Sequence, residues 1–246
     1  MSLRGLILEQ AYRLRRHLWG DWPLANWLGL LLLMGGLASA MVEGMGHWLA
    51  LLFGMLFLGH VLLSTWARRR GYVEFRASSP ADPLLDQANP EMPLRAEEWV
   101  PVRASGWFTV EGKNQYYMDL EADFETVETR EHIVLGRVHP SRFLWLGRWP
   151  AYEVGWWYIF FQPAMIRAMS LGQLHFGRRP RLALQVAFAL DEETLQTIYL
   201  TSDDAPTLRR VWEDLLRDVP AGAMVTGLPP GEEETIYCDN YGEPGC

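Results

Sequence analysis

Cysteine and lysine are the residue types that this chain of 246 residues has least of. Its two cysteines, Cys238 and Cys246, lie among the last nine residues, so we expect the folded part to have neither a disulfide framework nor a cysteine-based metal site. In a reducing cytoplasm both are expected to be free thiols, with a regulatory disulfide or metal pair as the alternative. Lysine occurs once among 22 basic residues, as Lys113, which we interpret as a bias in genome composition.

Charged residues are absent from two long apolar runs, residues 22–41 and 48–66. A helix rises ~1.5 Å per residue, so each run is about long enough to cross a hydrocarbon core of ~30 Å. Only residues 42–47 separate the runs. The sequence therefore predicts a transmembrane helical hairpin over residues 21–70. A signal peptide is not expected, because the first run starts late and is too long.

Arginine is also absent from the loop between the two runs, and this absence predicts the topology. Basic residues flank the hairpin on both outer sides: Arg4, Arg13, Arg15, Arg16, Arg68, Arg69 and Arg70. The positive-inside rule then places both termini in the cytoplasm of a protein integral to the plasma (inner) membrane. Tryptophans at the ends of the runs fit interfacial anchoring: Trp19, Trp22, Trp27, Trp48 and Trp66.

Residues 1–20 are predicted to be helical, with apolar residues at helical spacing among arginines. Two interpretations are open, a basic amphipathic helix in the membrane interface or an extension of the first span. Within the hairpin, small residues recur four apart and favour close approach of the two spans or of two chains: Ala25 and Gly29, Gly36 and Ala40. His60 is the one titratable residue inside a span; it is either a functional group or a neutral imidazole hydrogen-bonded across the hairpin.

The two parts of the chain have opposite charge. Residues 1–76 contain eight arginines and four acidic residues, net +4, whereas residues 77–246 contain fourteen basic and twenty-six acidic residues, net −12, which together give −8. The acidic charge of residues 77–246 argues against binding nucleic acid, because such binding requires basic groups that neutralise phosphates. It also argues against a domain that docks broadly on anionic lipid.

Beyond the hairpin, prolines punctuate residues 71–96, which we interpret as a linker after a short strand at residues 72–76. The residue pattern of residues 97–220 predicts a β domain, and that of residues 221–246 predicts a mobile tail. Alternating apolar residues and turn signals predict these strands: 100–110, 115–127, 132–138, 156–162, 165–169, 173–176, 181–190 and 195–201. Residues 140–150 are expected to form a connection.

The last element predicted is an amphipathic helix, capped by Asp203 or Asp204 and ended by Pro220. Its buried stripe is Leu208, Val211, Trp212, Leu215, Leu216 and Val219. About seven strands followed by this helix predict an α+β fold, a small antiparallel barrel or sandwich capped by a helix. In this order the chain resembles bacterial membrane-anchored pleckstrin-homology-like (PH-like) domain proteins. The resemblance implies a binding or scaffolding module rather than an enzyme.

Inositol phosphate binding is not expected, because Lys113 is the only basic residue in the first hairpin of the β domain and its charged neighbours are acidic. Another candidate site for phosphate or a lipid headgroup is the cluster Arg178, Arg179 and Arg181. The alternative is a solvated hairpin tip. The arginines that follow the second span, Arg68, Arg69 and Arg70, are expected to meet anionic lipid as a generic anchor.

The connection at residues 140–150 is unusually apolar for a loop. Its large side chains predict either a surface that dips into the bilayer or binds a partner, or a cover for the open end of the barrel: Phe143, Leu144, Trp145, Leu146 and Trp149. Acidic residues recur over residues 121–131 and are interpreted as one solvated strand face.

The sequence contains no catalytic motif that we recognise. His132, His139 and His175 are scattered singly, without the spacing of metal ligands, and neither a metal nor a cofactor is expected. We therefore predict a non-enzymatic module, held at the inner membrane, that binds a protein partner or its own copy. The alternative is sensing of a lipid or small anionic ligand by the PH-like domain. An enzyme of unrecognised type is a third hypothesis.

Overall fold

The computed structural model describes residues 3–77, 98–110, 113–126, 132–151, 154–177, 179–189, 195–220 and 222–226. They belong to two compact units. The first comprises Met1–Glu74, His139–Val154 and Phe176–Arg179, and the second Phe75–Val138, Gly155–His175 and Pro180–Cys246. Most of the predicted linker and tail, Arg178 and both cysteines lie outside the described residues.

The helices of the first unit are α1 (Leu3–Arg16), α2 (Leu24–Ala40) and α3 (Gly46–Arg69). The chain leaves the helical conformation between Arg16 and Leu24, so the interpretation of α1 as an extension of the first span is wrong. Of the described helices, α3 alone is long and apolar enough to cross a membrane, and its most apolar window is 0% buried. Helix α2 is also apolar but shorter, with 17 residues against 24 in α3.

Helices α2 and α3 run antiparallel and pack closely. Gly29 lies against His60, and Gly36 lies against Phe53 of α3. A Cβ on Gly35 would lie 2.9 Å from the Phe53 ring. The small residues of α2 therefore allow close contact with α3. This is the first of the two alternatives from the sequence, which were contact between the two helices or contact between two chains.

A four-stranded sheet also belongs to the first unit. Its order is β2–β1–β8–β7, and each strand has two residues: β1 (Leu18–Trp19), β2 (Trp22–Pro23), β7 (Arg142–Phe143) and β8 (Gly147–Arg148). Leu18 pairs with Pro23 and with Arg148. The predicted connection at residues 140–150 is thus a small hairpin held to the chain that enters α2.

The second unit contains a larger, mostly antiparallel sheet and one helix, α4 (Ala205–Asp218). Its strands are β3 (Glu74–Ala77), β4 (Val100–Val110), β5 (Lys113–Thr126), β6 (His132–Val138), β9 (Gly155–Phe161), β10 (Ile166–His175), β11 (Pro180–Ala189), β12 (Leu195–Thr201) and β13 (Met224–Thr226). The order is β13–β10–β11–β12–β4–β5–β6–β9, with β3 also pairing β10.

The predicted α+β class is confirmed, but the closed barrel is wrong: among the described residues the strand pairing ends at β9 and β13 and does not close. Helix α4 packs its apolar stripe on β4 and β11. Trp212, at its centre, is fully buried. Asp204 caps the helix, because its carboxylate accepts hydrogen bonds from Thr207 N at 3.2 Å and Oγ1 at 2.6 Å.

Two further predictions about the second unit are wrong. Residues 166–175 form one strand, not two separated at Gly172, because β3 crosses there: a Cβ on Gly172 would overlap the Arg76 carbonyl oxygen and lie 2.7 Å from the Phe75 ring. A glycine inside a strand is typical of such a close approach. Residues 224–226, assigned to the mobile tail, form β13 and pair with β10 in parallel.

Candidate functional site

A cavity of about 340 Å³ lies between α1, α2 and α3 of the first unit. We call it the α1–α3 cavity. Its apolar lining includes Leu6, Ile7, Leu14, Val61 and Leu63, and its polar lining includes Gln10, Arg15, Asn26, His60, Ser64, Thr65, Arg68 and Tyr72. None of these described lining residues is acidic. A cavity of this volume with both kinds of surface is suited to an amphipathic ligand that carries a negative charge.

Two faces of helix α1 have different contacts. Gly5, Leu8 and Tyr12 are buried, and Tyr12 contacts the rings of Trp149 and Phe176 at 6.1 and 6.3 Å between centroids. The other face, which includes Ile7, Ala11 and Leu14, lines the cavity. Because α1 is fixed on one side, its second face forms a wall of the cavity.

The end of the cavity at Tyr72 is strongly basic. Burial raises the pKa of the Tyr72 phenol above its ordinary value of 10.0, while the charges of Arg15, Arg68 and Arg16 act in the opposite direction. These three guanidinium groups therefore produce a positive potential at the Tyr72 side chain. Such a potential favours an anion, and arginine is the side chain best suited to bidentate contacts with phosphate.

The opposite end contains His60 and Ala25. The Nε2 of His60 lies 2.9 Å from the Ala25 carbonyl oxygen, to which it donates a hydrogen bond. The predicted hydrogen bond across the helices is thus confirmed. Residues 60 and 68 are separated by ~12 Å along α3 at ~1.5 Å per residue. The cavity therefore runs about 12 Å from the arginine level at the end of α3 toward the middle of that helix.

The arginines proposed from the sequence have different surroundings. Arg68, Arg69 and Arg70 are all exposed, and of the three only Arg68 lines the cavity. The Arg70 guanidinium lies over the Trp66 ring at 5.4 Å. Arg181 donates from Nη1 to Asp119 Oδ1 at 2.6 Å.

The carboxylate of Asp119 is shared with another arginine, Arg103, whose Nε donates to the same oxygen at 2.6 Å. Arg181 is therefore part of a partly exposed ion-pair cluster of the second unit. Arg179 is exposed and belongs to the first unit. The third predicted member, Arg178, lies outside the described residues.

The apolar connection divides into an inner and an outer set. Phe143 is buried and Trp149 is partly buried; their rings lie 5.5 and 5.1 Å from the His17 ring. Leu144, Trp145 and Leu146 point outward, and Trp145 is 92% exposed. The five residues thus do not form one surface: the outer three are available to a bilayer or a partner.

The remaining candidates contribute no site. Among the described residues, no group of histidine, cysteine and acidic side chains is arranged to hold a metal ion. The acidic run on β5 is not one solvated face, because Glu125 is buried while Glu121 is exposed; the run continues through residues 127–131, outside the described part. No sequence motif marks the residues at the Arg15–Tyr72 end of the cavity. The only indication in the sequence is that arginines lie next to apolar residues at helical spacing.

Comparison with known protein families, curated proteins and solved structures finds no match to this chain. Its function is therefore argued from the α1–α3 cavity and its surroundings.

Proposed function

We propose that the protein is a non-enzymatic membrane protein that binds an anionic phospholipid in the α1–α3 cavity. In this proposal α2 and α3 cross the inner membrane, both termini are cytoplasmic, and the second unit is a PH-like interaction domain. The single observation that carries the ligand assignment is the cavity lining, basic at Arg15 and Arg68 and aliphatic along α1 and α3.

Membrane insertion is supported by the surfaces of α2 and α3. Neither helix contains a charged residue before Arg68. Many of their large apolar side chains are exposed, among them Leu31, Met34, Leu51, Met55, Leu58 and Leu62. Exposed apolar surface on this scale is unfavourable in water and matches a hydrocarbon environment.

The depth of the cavity supports a lipid rather than a free anion. The lining of the cavity includes Arg68, where α3 leaves the apolar run, and His60, about 12 Å away along the helix within that run. A headgroup phosphate beside Arg15 and Arg68 would place the first acyl carbons against Leu14, Val61 and Leu63. A small soluble anion would use the arginines but leave the aliphatic wall uncovered.

Native mass spectrometry of the full chain in a mild detergent tests this function. Phosphatidylglycerol is titrated against phosphatidylcholine with the same acyl chains, and we expect discrete adducts of the anionic lipid. In the double variant Arg15→Gln/Arg68→Gln we expect about 30-fold weaker binding, since a basic residue near anionic lipid contributes ~1 kcal/mol and ~1.4 kcal/mol is a factor of ten.

The matched control is Arg69→Gln/Arg70→Gln, which removes the same charge from exposed positions beside the cavity. It should retain affinity within about threefold, because neither of these two arginines lines the cavity. A competition arm with glycerol 3-phosphate separates a lipid from its headgroup alone. Equal binding of both lipids, or equal losses in both double variants, contradicts the proposal.

Protein binding by the second unit is a second proposed function, favoured by tryptophans on its surface. Trp99, Trp107 and Trp156 are exposed, and the Arg137 guanidinium lies over the Trp156 ring at 5.1 Å. Exposed tryptophan and arginine are enriched at protein interfaces. The PH-like assignment is supported by seven strands from β4 to β12, β7 and β8 aside, followed by α4.

Co-purification of the full chain in mild detergent tests this second function. We expect a stoichiometric protein partner or a defined homo-oligomer, and loss of that species in Trp156→Ser. Leu195→Ser, a second exposed apolar position on the same unit, is the control. Repeated recovery of the monomer alone contradicts the function.

A further inference from the structure

The turn formed by Leu144, Trp145 and Leu146 has an unfavourable backbone. Leu144 has φ 49° and Trp145 has φ 61°, the left-handed region that costs free energy for any residue with a Cβ. A positive φ at two successive turn residues is normally supplied by Asn-Gly. Instead, the 144–146 turn carries three large apolar side chains, and Trp145 is 92% exposed. Both the conformation and the exposure are unfavourable in water.

The base of the turn is also unfavourable in isolation. Arg142 of β7 pairs directly with Arg148 of β8, and both side chains are exposed. Like charges opposite each other destabilise a strand pair. An anionic surface would relieve that repulsion, and the same surface would have to accept the apolar side chains at the tip.

The small sheet holds the turn firmly beside the start of α2. Gly147 packs so closely that a Cβ on it would lie 2.6 Å from Leu24 Cδ1 and 2.7 Å from His17 Cβ. Arg148 pairs with Leu18, and Trp19 with Trp22. The turn is therefore fixed to the segment that leads into the proposed membrane span.

The orientation of the turn follows from Trp27, one helical turn into α2. Its Nε1 donates to the Trp19 carbonyl oxygen at 2.9 Å, and its ring contacts the rings of Trp19 and Trp22. Trp19 is at the same end of the sheet as the 144–146 turn, because β1 and β8 are antiparallel. That end of the sheet therefore lies alongside the first turns of α2, at the level of a tryptophan cluster typical of the membrane interface.

We propose that the 144–146 turn inserts into the lipid interface of the leaflet that α2 enters, with Arg142 and Arg148 against anionic headgroups. The inference rests on the proposed membrane insertion of α2 and α3, and it is independent of a lipid in the α1–α3 cavity. The turn is a second attachment point, built from a segment that begins 104 positions after Ala40, the last residue of α2, but lies in the same unit.

Fluorescence quenching in vesicles tests the insertion. The full chain, with Cys238 and Cys246 replaced by serine, receives a single cysteine labelled with a polarity-sensitive fluorophore. The sites are Trp145→Cys, Ala151→Cys, an exposed position of the same connection, and Met34→Cys, exposed on α2. The vesicles contain phosphatidylcholine and phosphatidylglycerol, with a fraction carrying a nitroxide at carbon 5 of the acyl chain.

We expect quenching at position 145 at least twofold greater than at position 151, with emission shifted to shorter wavelength. If position 34 is quenched and position 145 behaves like position 151, the inserted turn is wrong while the membrane anchor stands. If position 34 is not quenched either, both the anchor and the inserted turn are wrong. Trp145 makes no buried packing, so its replacement leaves the fold intact.

Discussion

Leu18 of β1 pairs with Arg148 of β8, although 130 positions separate them in the chain. This pairing joins the connection between two strands of the second unit to the segment between α1 and α2. It explains why residues 139–154 belong to the compact unit of the N-terminal helices. The surfaces proposed to meet lipid, the α1–α3 cavity and the 144–146 turn, both lie in that unit.

The strain of the 144–146 turn can be removed by substitution. Leu144→Asn/Trp145→Gly supplies residues that tolerate a positive φ, and we expect it to raise the free energy of unfolding in detergent by about 1 kcal/mol. A fluorophore at Leu146→Cys in this variant should no longer be quenched by nitroxide lipid. The measurements are a thermal melt and vesicle quenching. A variant that is no more stable than the parent chain would show that the turn is not strained.

Acidification should loosen the contact between α1 and the small sheet. Burial lowers the pKa of His17 below its ordinary 6.5, the bond to the Arg13 carbonyl opposes this, and the charges of Arg13 and Arg16 lower it further. Below pH 6.5 the unfolded chain takes up a proton that folded His17 resists, so the free energy of unfolding falls as pH decreases from 6.5 toward the lowered value.

The measurement is a series of thermal melts in detergent between pH 8 and pH 5. His17→Asn is the control, because its amide can still donate to the Arg13 carbonyl but does not titrate. The melting temperature of the parent chain should decline more steeply below pH 6.5 than that of the variant. Parallel curves would contradict the role assigned to His17.

The close packing of Gly147 predicts a large effect from one methyl group. Gly147→Ala introduces a Cβ within 2.7 Å of both Leu24 and His17, and we expect it to destabilise the protein by about 1–3 kcal/mol. Gly59→Ala in α3 is the matched control, because nothing lies within 4 Å of its Cβ position. Hydrogen exchange of residues 142–149 should increase in the first variant only. Equal protection in both would mean that the small sheet is not held against α2.

The cluster at Asp119 predicts a salt-dependent contribution to the stability of the second unit. The hydrogen bond and charge of Asp119 raise the pKa of Arg103 above its ordinary value, although burial alone would lower it. Asp119 has φ 53°, a conformation that asparagine also tolerates. Asp119→Asn should therefore remove mainly the charge and cost about 1 kcal/mol at low salt, less at high salt because the cluster is partly exposed. Asp119→Ala, which also loses the preference for this conformation, should cost more in denaturant titrations.

Elements with a strong local signal were predicted well from the sequence. Strands β4, β6 and β12 have the predicted bounds, because alternation and turn residues mark both ends. The predicted cap of α4 at Asp204 is also confirmed, because a capping residue followed by proline marks the start of a helix locally. Gly172 misled the prediction, since a glycine that admits a neighbouring strand and one that ends a strand look alike in sequence.

The candidate site depends on contacts that local patterns do not encode. The strands of the small sheet have two residues each, too few for a periodicity, so its pairing with the start of α2 was missed. Arg68 and Tyr72 are four positions apart at the end of α3, but Arg15 belongs to α1 and meets them only once α1 packs against α3. The sequence assigned anionic ligands to two clusters of adjacent arginines: Arg68, Arg69 and Arg70, and Arg178, Arg179 and Arg181. Of these residues only Arg68 lines the cavity among those that the structure describes.

Photo-cross-linking tests the central claim most directly. The full chain is placed in lipid nanodiscs that contain phosphatidylglycerol with a diazirine in the upper part of one acyl chain, irradiated, and mapped by peptide mass spectrometry. We expect cross-links concentrated on Leu14, Val61 and Leu63 of the cavity wall and lost in Arg15→Gln/Arg68→Gln. Cross-links spread evenly over the exposed faces of α2 and α3, unchanged in that variant, would contradict the claim.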